Sequence, residues 1–289
     1  MNRRSADSSG RDHQPAEQGG LANSPGMRMR ACAVCENGGR AARALAYAKV
    51  GRHLVECVNC GFTYVPVAPG AAAQTHAARD GRLLLGDRLL NWLDRATCWR
   101  RFMFSPLEPY EILNKLGPDS GNVVDVGCHR DNLRLISRRF SIYGLEAFPA
   151  FSVRTRTEAT QSGATVLSTT AAEGLSRFPD RSLAGVVLHS HLERDPDARS
   201  VVELLGQKLR FDGLAVLKLA NYGSLNRRFM GKRWYKFNFP EYLNYFRKRD
   251  ISALASHFGL EASFPFMLSL PTDDNFIAIL KPTIPIEIY

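Results

Sequence analysis

The run Val123-Val124-Asp125-Val126-Gly127-Cys128 constrains this chain most: a β-type segment breaks at a glycine and leads into a stretch of helical character from Asp131 to Phe140. In an alternating α/β domain, that junction is where a nucleotide-like ligand meets backbone N–H groups at a helix start. The next apolar run, Ser141-Ile142-Tyr143-Gly144-Leu145, ends in Glu146. An acid roughly 20 residues past the glycine turn stands at the tip of the adjacent strand, where its carboxylate accepts both hydroxyl protons of a ribose. The spacing points to an adenosine-type ligand. His129 and Asp131 occupy positions where further glycines would let a ligand approach closely.

From Asn122 onward the pattern alternates between strands and helices. Strands are expected near 123 to 127, 141 to 145, 164 to 168, 183 to 189, 213 to 219, 261 to 269 and 275 to 281. Helices are expected near 130 to 139, 148 to 160, 197 to 209 and 248 to 258. Such alternation predicts an α/β fold, a doubly wound, seven-stranded, mostly parallel sheet. Between the last two strands no helix intervenes, and Pro271-Thr272-Asp273-Asp274 reads as the turn of an antiparallel hairpin at the sheet edge.

The cysteines divide the chain differently. Cys32 and Cys35 form one Cys-x-x-Cys pair, Cys57 and Cys60 a second, and Cys98 and Cys128 stand alone. Four thiolates close a tetrahedral zinc site, and a module this small needs the metal to hold its fold. The expectation is a structural zinc ribbon over residues 28 to 67, since a four-cysteine site is closed and leaves no position for substrate. Residues 1 to 27 are polar and rich in Gly and Ser, the composition of a disordered tail. Residues 68 to 118 read as a helical linker, with Leu85, Leu89, Trp92, Ala96, Trp99 and Met103 near one helix face. Residues 119 to 289 form the main domain.

A net charge of +10 favours anionic partners: nucleic acid, nucleotide-sugars, phospholipid head groups or acidic polysaccharide precursors. No apolar stretch is long enough to span a bilayer, and the N-terminal residues lack the apolar core of a secretion signal, so the expected location is cytoplasmic. Basic residues concentrate in an insertion from 222 to 249, where Arg227, Lys232 and their neighbours interleave with Trp234, Tyr242 and other aromatics. Such a strip can stack a base or sugar while pairing a phosphate; it can equally be a solvated basic loop anchored by core aromatics.

With seven strands ending in a hairpin, a glycine turn after the first and an acid after the second, the chain resembles the class I S-adenosylmethionine-dependent methyltransferases. More specifically it resembles the bacterial branch that carries an N-terminal zinc ribbon, found among sugar and polysaccharide-modifying methyltransferases. The likeness covers residues 30 to 281 and implies a Rossmann-like methyltransferase fold. Asp125-Val126-Gly127-Cys128 matches the start of the family's Asp-x-Gly-Cys-Gly-x-Gly loop, with His129 and Asp131 replacing the second and third glycines. Glu146 matches the acid that holds the ribose hydroxyls. Past the third strand, Ser168-Thr169-Thr170-Ala171-Ala172 offers hydroxyl or backbone groups to the adenine in place of the family's acid. Leu192-Glu193-Arg194-Asp195-Pro196-Asp197 resembles the segment Leu-Glu-His-Val-x-Asp-Pro, and Leu219-Ala220-Asn221-Tyr222-Gly223-Ser224-Leu225 a Pro-Asn-x-x-Ser-Leu turn. Pro240-Glu241-Tyr242-Leu243-Asn244-Tyr245-Phe246 resembles Glu-His-Leu-x-x-Phe, with Tyr242 for His.

The resemblance implies an enzyme that moves a methyl group from S-adenosylmethionine to a small or carrier-linked anionic acceptor, such as a nucleotide-sugar or polysaccharide precursor. Cofactor contacts fall on Asp125, Gly127, Cys128, Glu146 and His189. The transfer is a direct displacement in which the protein aligns donor and acceptor and removes a proton. His189, His191 and Glu193 are the titratable groups best placed for that at the carboxyl edge of the sheet. Substrate contacts fall on Asn221, Tyr222, Arg227, Lys232, Trp234 and Tyr242, and zinc ligation on Cys32, Cys35, Cys57 and Cys60. Two other readings stay open: a non-catalytic methyltransferase-fold binding or scaffold protein, motivated by His129 and Asp131, and an RNA methyltransferase or RNA-binding module.

Overall fold

The strand Gly121–Val126 lies at the middle of a seven-stranded sheet. The structure is a computed structural model and describes residues 27–38, 42–49, 52–69, 109–127, 139–146, 163–238, 241–266 and 269–283. Cys98, Cys128, His129 and Asp131, and the linker helix expected around residues 85 to 103, lie outside the described residues. Almost all of the expected tail and of the helices expected near 130 to 139 and 148 to 160 lies outside them too.

Among the described residues, thirteen strands are numbered in chain order. They are β1 (Met27–Met29), β2 (Ala42–Lys49), β3 (Arg52–Cys57), β4 (Thr63–Tyr64), β5 (Val67–Pro69), β6 (Gly121–Val126) and β7 (Phe140–Leu145). There follow β8 (Thr165–Leu167), β9 (Leu183–His189), β10 (Leu209–Ala220), β11 (Asn244–Tyr245), β12 (Leu260–Ser263) and β13 (Asn275–Pro282). The helices are α1 (Pro109–Leu116), α2 (Ala171–Ser176), α3 (Ala198–Lys208), α4 (Leu225–Met230) and α5 (Lys248–Ser256), with a 3-10 turn at Gly231–Arg233.

The large sheet runs β12-β13-β10-β9-β6-β7-β8. Pairs β6–β7, β7–β8, β6–β9 and β9–β10 are parallel, whereas β13 runs antiparallel to both β10 and β12. This is the doubly wound, mostly parallel α/β sheet that the alternation predicts, with the last two strands antiparallel at one edge. β12 ends at Ser263, short of the expected 269; α1 lies within the segment 68 to 118 expected to be helical, whereas α2 and α4 are helices the periodicity did not announce. Each of α2 and α4 is only six residues long, under two turns, too short to show a helical period in sequence.

Alternation along the strands divides the core into two layers. Val124, Val126, Val186, Leu188, Ala215 and Leu217 face one layer with α3 and α5 residues, and Val123, Val187, Leu214 and Val216 face the other with Tyr110, Ile112 and Leu113 of α1. Because both faces of β9 are covered, its residues read as one apolar run without alternation. α1 packs directly on β9 at Gly185, where an added Cβ would lie 2.4 Å from Leu113 Cδ1.

A smaller four-stranded sheet, β11-β4-β3-β2, joins the two ends of the sequence. β2, β3 and β4 come from the cysteine-bearing segment, while β11 comes from residues 244 and 245 and pairs antiparallel with β4. Phe62 packs between Tyr64, at 5.9 Å between ring centroids, and Phe246, at 5.0 Å. β1 and β5 form a separate antiparallel pair.

Candidate functional site

In a doubly wound sheet the carboxyl ends of the parallel strands share one edge, and ligands bind there. Asp125 pairs in register with Gly144 and Val126 with Leu145, so Gly127 and Glu146 are the next residues along two neighbouring strands. Gly127 has φ +91, and a Cβ added to it would meet nothing within 4 Å among the described residues. An L side chain is strained in that conformation, so the turn favours glycine. Its N–H donates to Leu145 O at 2.9 Å, which ties the turn to the end of β7. Glu146 is buried, its N–H donates to Leu167 O, and its carbonyl accepts from Thr169 N–H. Asp125 is fully buried below the turn. Thr170, in the hydroxyl-bearing segment after β8, caps α2 by accepting from Glu173 N–H at 3.2 Å. The edge therefore brings together a bare Cα at a positive-φ turn and a buried acidic residue at the tip of the next strand.

The loop after β9 carries the titratable groups. His189 ends β9 half-buried, opposite Lys218 in register. Ser190 turns the chain at φ +50. His191 Nε2 lies 3.0 Å from Asp195 Oδ2, and its Nδ1 makes no hydrogen bond among the described residues. Burial pushes the Asp195 carboxyl up, but the His191 hydrogen bond and charge, the Asp197 N–H and the Arg30 charge outweigh it and hold it below its ordinary value. Asp195 thereby orients the imidazole as an ionised partner. Sequence reasoning missed it, although its i+4 spacing from His191 was available.

Glu193 is fully buried, and burial raises its carboxyl pKa against the opposing Ala220 N–H and the charges of Lys236 and Arg194. Oε1 accepts from Ala220 N–H at 2.7 Å, while Oε2 has no hydrogen-bond partner among the described residues. Its backbone carbonyl accepts from Leu243 and Asn244 N–H at 2.6 and 3.0 Å. Glu193 therefore braces the β9 loop against the end of β10 and the start of β11. Tyr242 is buried nearby: burial, then the charge of Glu193, raises its phenol, while hydrogen bonds to Ser190 and Arg194 work the other way.

The expected substrate residues separate into two groups. Asn221 and Tyr222 are buried after β10; the Asn221 amide donates to Asp273 O and accepts from Gly223 N–H. The Tyr222 hydroxyl accepts from Arg227 Nη2, and the guanidinium lies 4.0 Å above its ring. Trp234 is buried and donates from Nε1 to Asp274 Oδ1 at 2.7 Å. Tyr222, Trp234, Tyr242 and Tyr245 pack in one apolar cluster, so these aromatics meet one another. Lys232 is exposed outside that cluster. A separate open hollow of about 440 Å³, lined by Asp180, Arg181, Glu203, Gly206, Gln207 and Phe258, lies at the opposite, amino edge of β9, away from Gly127.

The four cysteines converge. Their Sγ atoms lie within 4.8 Å of one another, with Cys32 to Cys60 at 3.5 Å and Cys35 to Cys57 at 3.6 Å. A tetrahedral ion with sulfurs at about 2.3 Å separates them by roughly 3.8 Å, so the set fits such an ion. Both knuckles turn alike: Glu36 and Gly61, each just after the second cysteine of its pair, have φ +57 and +72. The thiols differ: burial pushes Cys35 up, yet the Asn37 N–H, the Asn59 side chain and the neighbouring sulfurs outweigh it and bring it to about 7, whereas burial raises Cys32 and pushes Cys60 up to about 11.

Arg30 connects this module to the carboxyl edge. It is buried and donates to Pro196 O at 3.1 Å, Val65 O at 3.1 Å, Leu243 O at 3.4 Å and Asn244 Oδ1 at 2.7 Å. Asn244 in turn donates to Leu192 O and Asp195 O, both at 2.7 Å. Neither residue carried a signal in the sequence, because each partner is a distant backbone carbonyl or side chain.

The family model described as "Methionine biosynthesis protein MetW" matches residues 108–240, under half of the chain. A search of curated proteins returned no match. Among solved structures, a SAM-dependent methyltransferase from Methanosarcina mazei is 17% identical with a TM-score of 0.48 and covers 62% of this chain and 100% of its own. A SAM-dependent methyltransferase from Archaeoglobus fulgidus is 16% identical with a TM-score of 0.46, covering 60% and 92%. The PH0226 protein from Pyrococcus horikoshii is 14% identical with a TM-score of 0.49, covering 64% and 91%. At these scores the likenesses carry no argument about chemistry, which rests on the strand order and side chains of this chain.

Proposed function

We propose that the protein is an S-adenosylmethionine-dependent methyltransferase acting on a small or carrier-linked anionic acceptor, such as a nucleotide-sugar or polysaccharide precursor. The observation that carries this reading is the pair at the carboxyl edge: the positive-φ turn at Gly127 beside buried Glu146 on the next strand tip. When bound, the cofactor supplies an electrophilic methyl on a sulfonium. Glu146 holds the ribose hydroxyls at the turn that Gly127 makes, and Cys128 and His189 are the further cofactor contacts of this reading.

Acceptor chemistry falls to the loop after β9. His191, oriented through Nε2 by ionised Asp195, receives the acceptor proton at Nδ1. Glu193 positions the loop by gripping Ala220, Leu243 and Asn244. Asn221, Tyr222 and Arg227 form the floor on the β10 side, with Trp234 and Tyr242 packed beneath. Residues 28 to 67 act as a structural zinc ribbon on Cys32, Cys35, Cys57 and Cys60, and residues 119 to 289 as the catalytic domain.

Isothermal calorimetry with S-adenosylmethionine and S-adenosylhomocysteine tests the reading. Binding of both, weakened by a change at Glu146, is expected. No heat with either at millimolar concentration overturns it.

A further inference from the structure

The segment 221 to 238 holds no Asp or Glu and five Arg or Lys residues. Its aromatics behave differently from one another. Tyr222 and Trp234 are turned into the core, whereas Phe229 on α4 is 87% exposed. Leu225, four residues earlier and therefore on the same helical face, is 37% exposed. α4 buries none of its residues. Around this apolar pair, Arg228, Lys232 and Arg233 are exposed as well.

An exposed Phe on a slack loop would mean little, but this loop is held at both ends. Asp274 accepts from Ser224 Oγ at 2.8 Å, from Asn226 Nδ2 at 3.2 Å and from Trp234 Nε1 at 2.7 Å. Ser224 also caps α4 by accepting from Arg227 N–H at 3.0 Å. One buried carboxylate thus anchors the entry and the exit of α4, and it is already committed to three donors. The result is a rigid projection with an apolar tip and a cationic collar.

We propose that α4 and the following 3-10 turn dock the protein on an anionic lipid surface, with Phe229 and Leu225 entering the interface and Arg228, Lys232 and Arg233 pairing with phosphate head groups. The pairing of tip and collar matches what an interfacial segment needs: apolar area to bury plus basic groups at head-group level. Single-stranded nucleic acid asks for something else, a row of exposed rings on which successive bases stack. Here the neighbouring rings are packed against each other, and Leu225 offers no stacking face.

Flotation of the full-length protein with phosphatidylglycerol/phosphatidylcholine vesicles, against phosphatidylcholine alone, reads the proposal directly. Wild-type protein is expected to float with the anionic vesicles only, and less as salt is added. Phe229→Ala lowers the partition coefficient roughly tenfold by removing the buried ring, and the pair Arg228→Glu with Arg233→Glu abolishes flotation. These side chains are exposed, so melting temperature and S-adenosylmethionine binding stay at wild-type values in each variant. Failure of wild-type protein to float with anionic vesicles overturns the proposal, as does a Phe229→Ala variant that floats like wild type. Tight binding of mixed RNA through the same residues, with vesicles ignored, overturns it in favour of nucleic acid.

Discussion

Arg30 Nη2 donates to Asn244 Oδ1 at 2.7 Å across 214 positions of sequence, and both side chains are buried. This bond adds a side-chain link to the β4–β11 pairing, and the further bonds of each residue tie the cysteine-bearing segment to the loop that carries His191 and Glu193.

Arg30→Met removes the donor set while keeping an unbranched apolar stem. It leaves Asn244 Oδ1 and buried carbonyls without their partner, and a loss of about 2–4 kcal/mol is expected. Urea unfolding measures it. A loss under roughly 0.5 kcal/mol, the range of ordinary surface changes, would show that the bond is incidental.

Metal removal should act on the same joint. The purified protein is expected to carry about one zinc per chain, and Cys57→Ser or prolonged chelation to lose it. Elemental analysis and melting curves check both. The melting temperature should drop with zinc loss and recover on adding zinc back, because the β2, β3 and β4 strands cannot hold the knuckles alone.

At the carboxyl edge, Glu146→Ala should lower S-adenosylhomocysteine affinity roughly 10- to 100-fold, since hydrogen bonds to a charged group contribute about 1.5–3 kcal/mol. Gly127→Val forces a β-branched residue to φ +91 and should cost about 1–3 kcal/mol of stability as well as binding. Calorimetry and denaturation separate the two effects, and wild-type affinity in both variants would remove the cofactor site from this edge.

The Asp195 carboxyl is held below its ordinary value of 3.8. A depressed folded-state pKa contributes stability that is present above the unfolded value and lost as pH falls through the folded one. Wild-type protein should therefore lose stability below about pH 4 more steeply than Asp195→Asn. Urea midpoints taken from neutral pH down to acid compare the slopes; parallel curves would show that the contact with His191 stores no such energy.

Glu193 has the opposite sign. Its folded pKa is raised above 4.5 by burial, so its ionised form is disfavoured, and the disadvantage develops as pH rises past that value. Glu193→Gln keeps an acceptor for Ala220 N–H and removes the buried charge, and it should be at least as stable as wild type at neutral pH, with the difference closing in acid. Glu193→Ala leaves that N–H unpaired and should be less stable by about 1–3 kcal/mol. The two variants unfolding at one denaturant concentration would remove the brace from the account.

Which parts were legible beforehand follows from locality. The strands from 121 to 189 and the helices α3 and α5 were readable within a few residues, because apolar runs and 3.6-residue spacing are local consequences of burial. The cysteine pairs were readable because metal-ligand spacing is short. β11 was not, since two residues in an aromatic-rich loop become a strand only when β4 arrives beside them. The aromatic strip at 222 to 249 showed its charge but not its orientation: only packing decides that Trp234 turns inward to Asp274 while Phe229 stays in water.

By itself the sequence determined the layer architecture, the glycine turn with its neighbouring acid, and the four thiols, all features written in short-range spacing. Tertiary structure alone decided that Arg30 and Asn244 meet, that Asp195 orients His191, and that Asp274 fixes α4 with a phenylalanine outward. Those pairings depend on which backbone carbonyls and carboxylates are left to be satisfied once the core has closed. A residue cannot announce in sequence a partner that only the finished fold supplies.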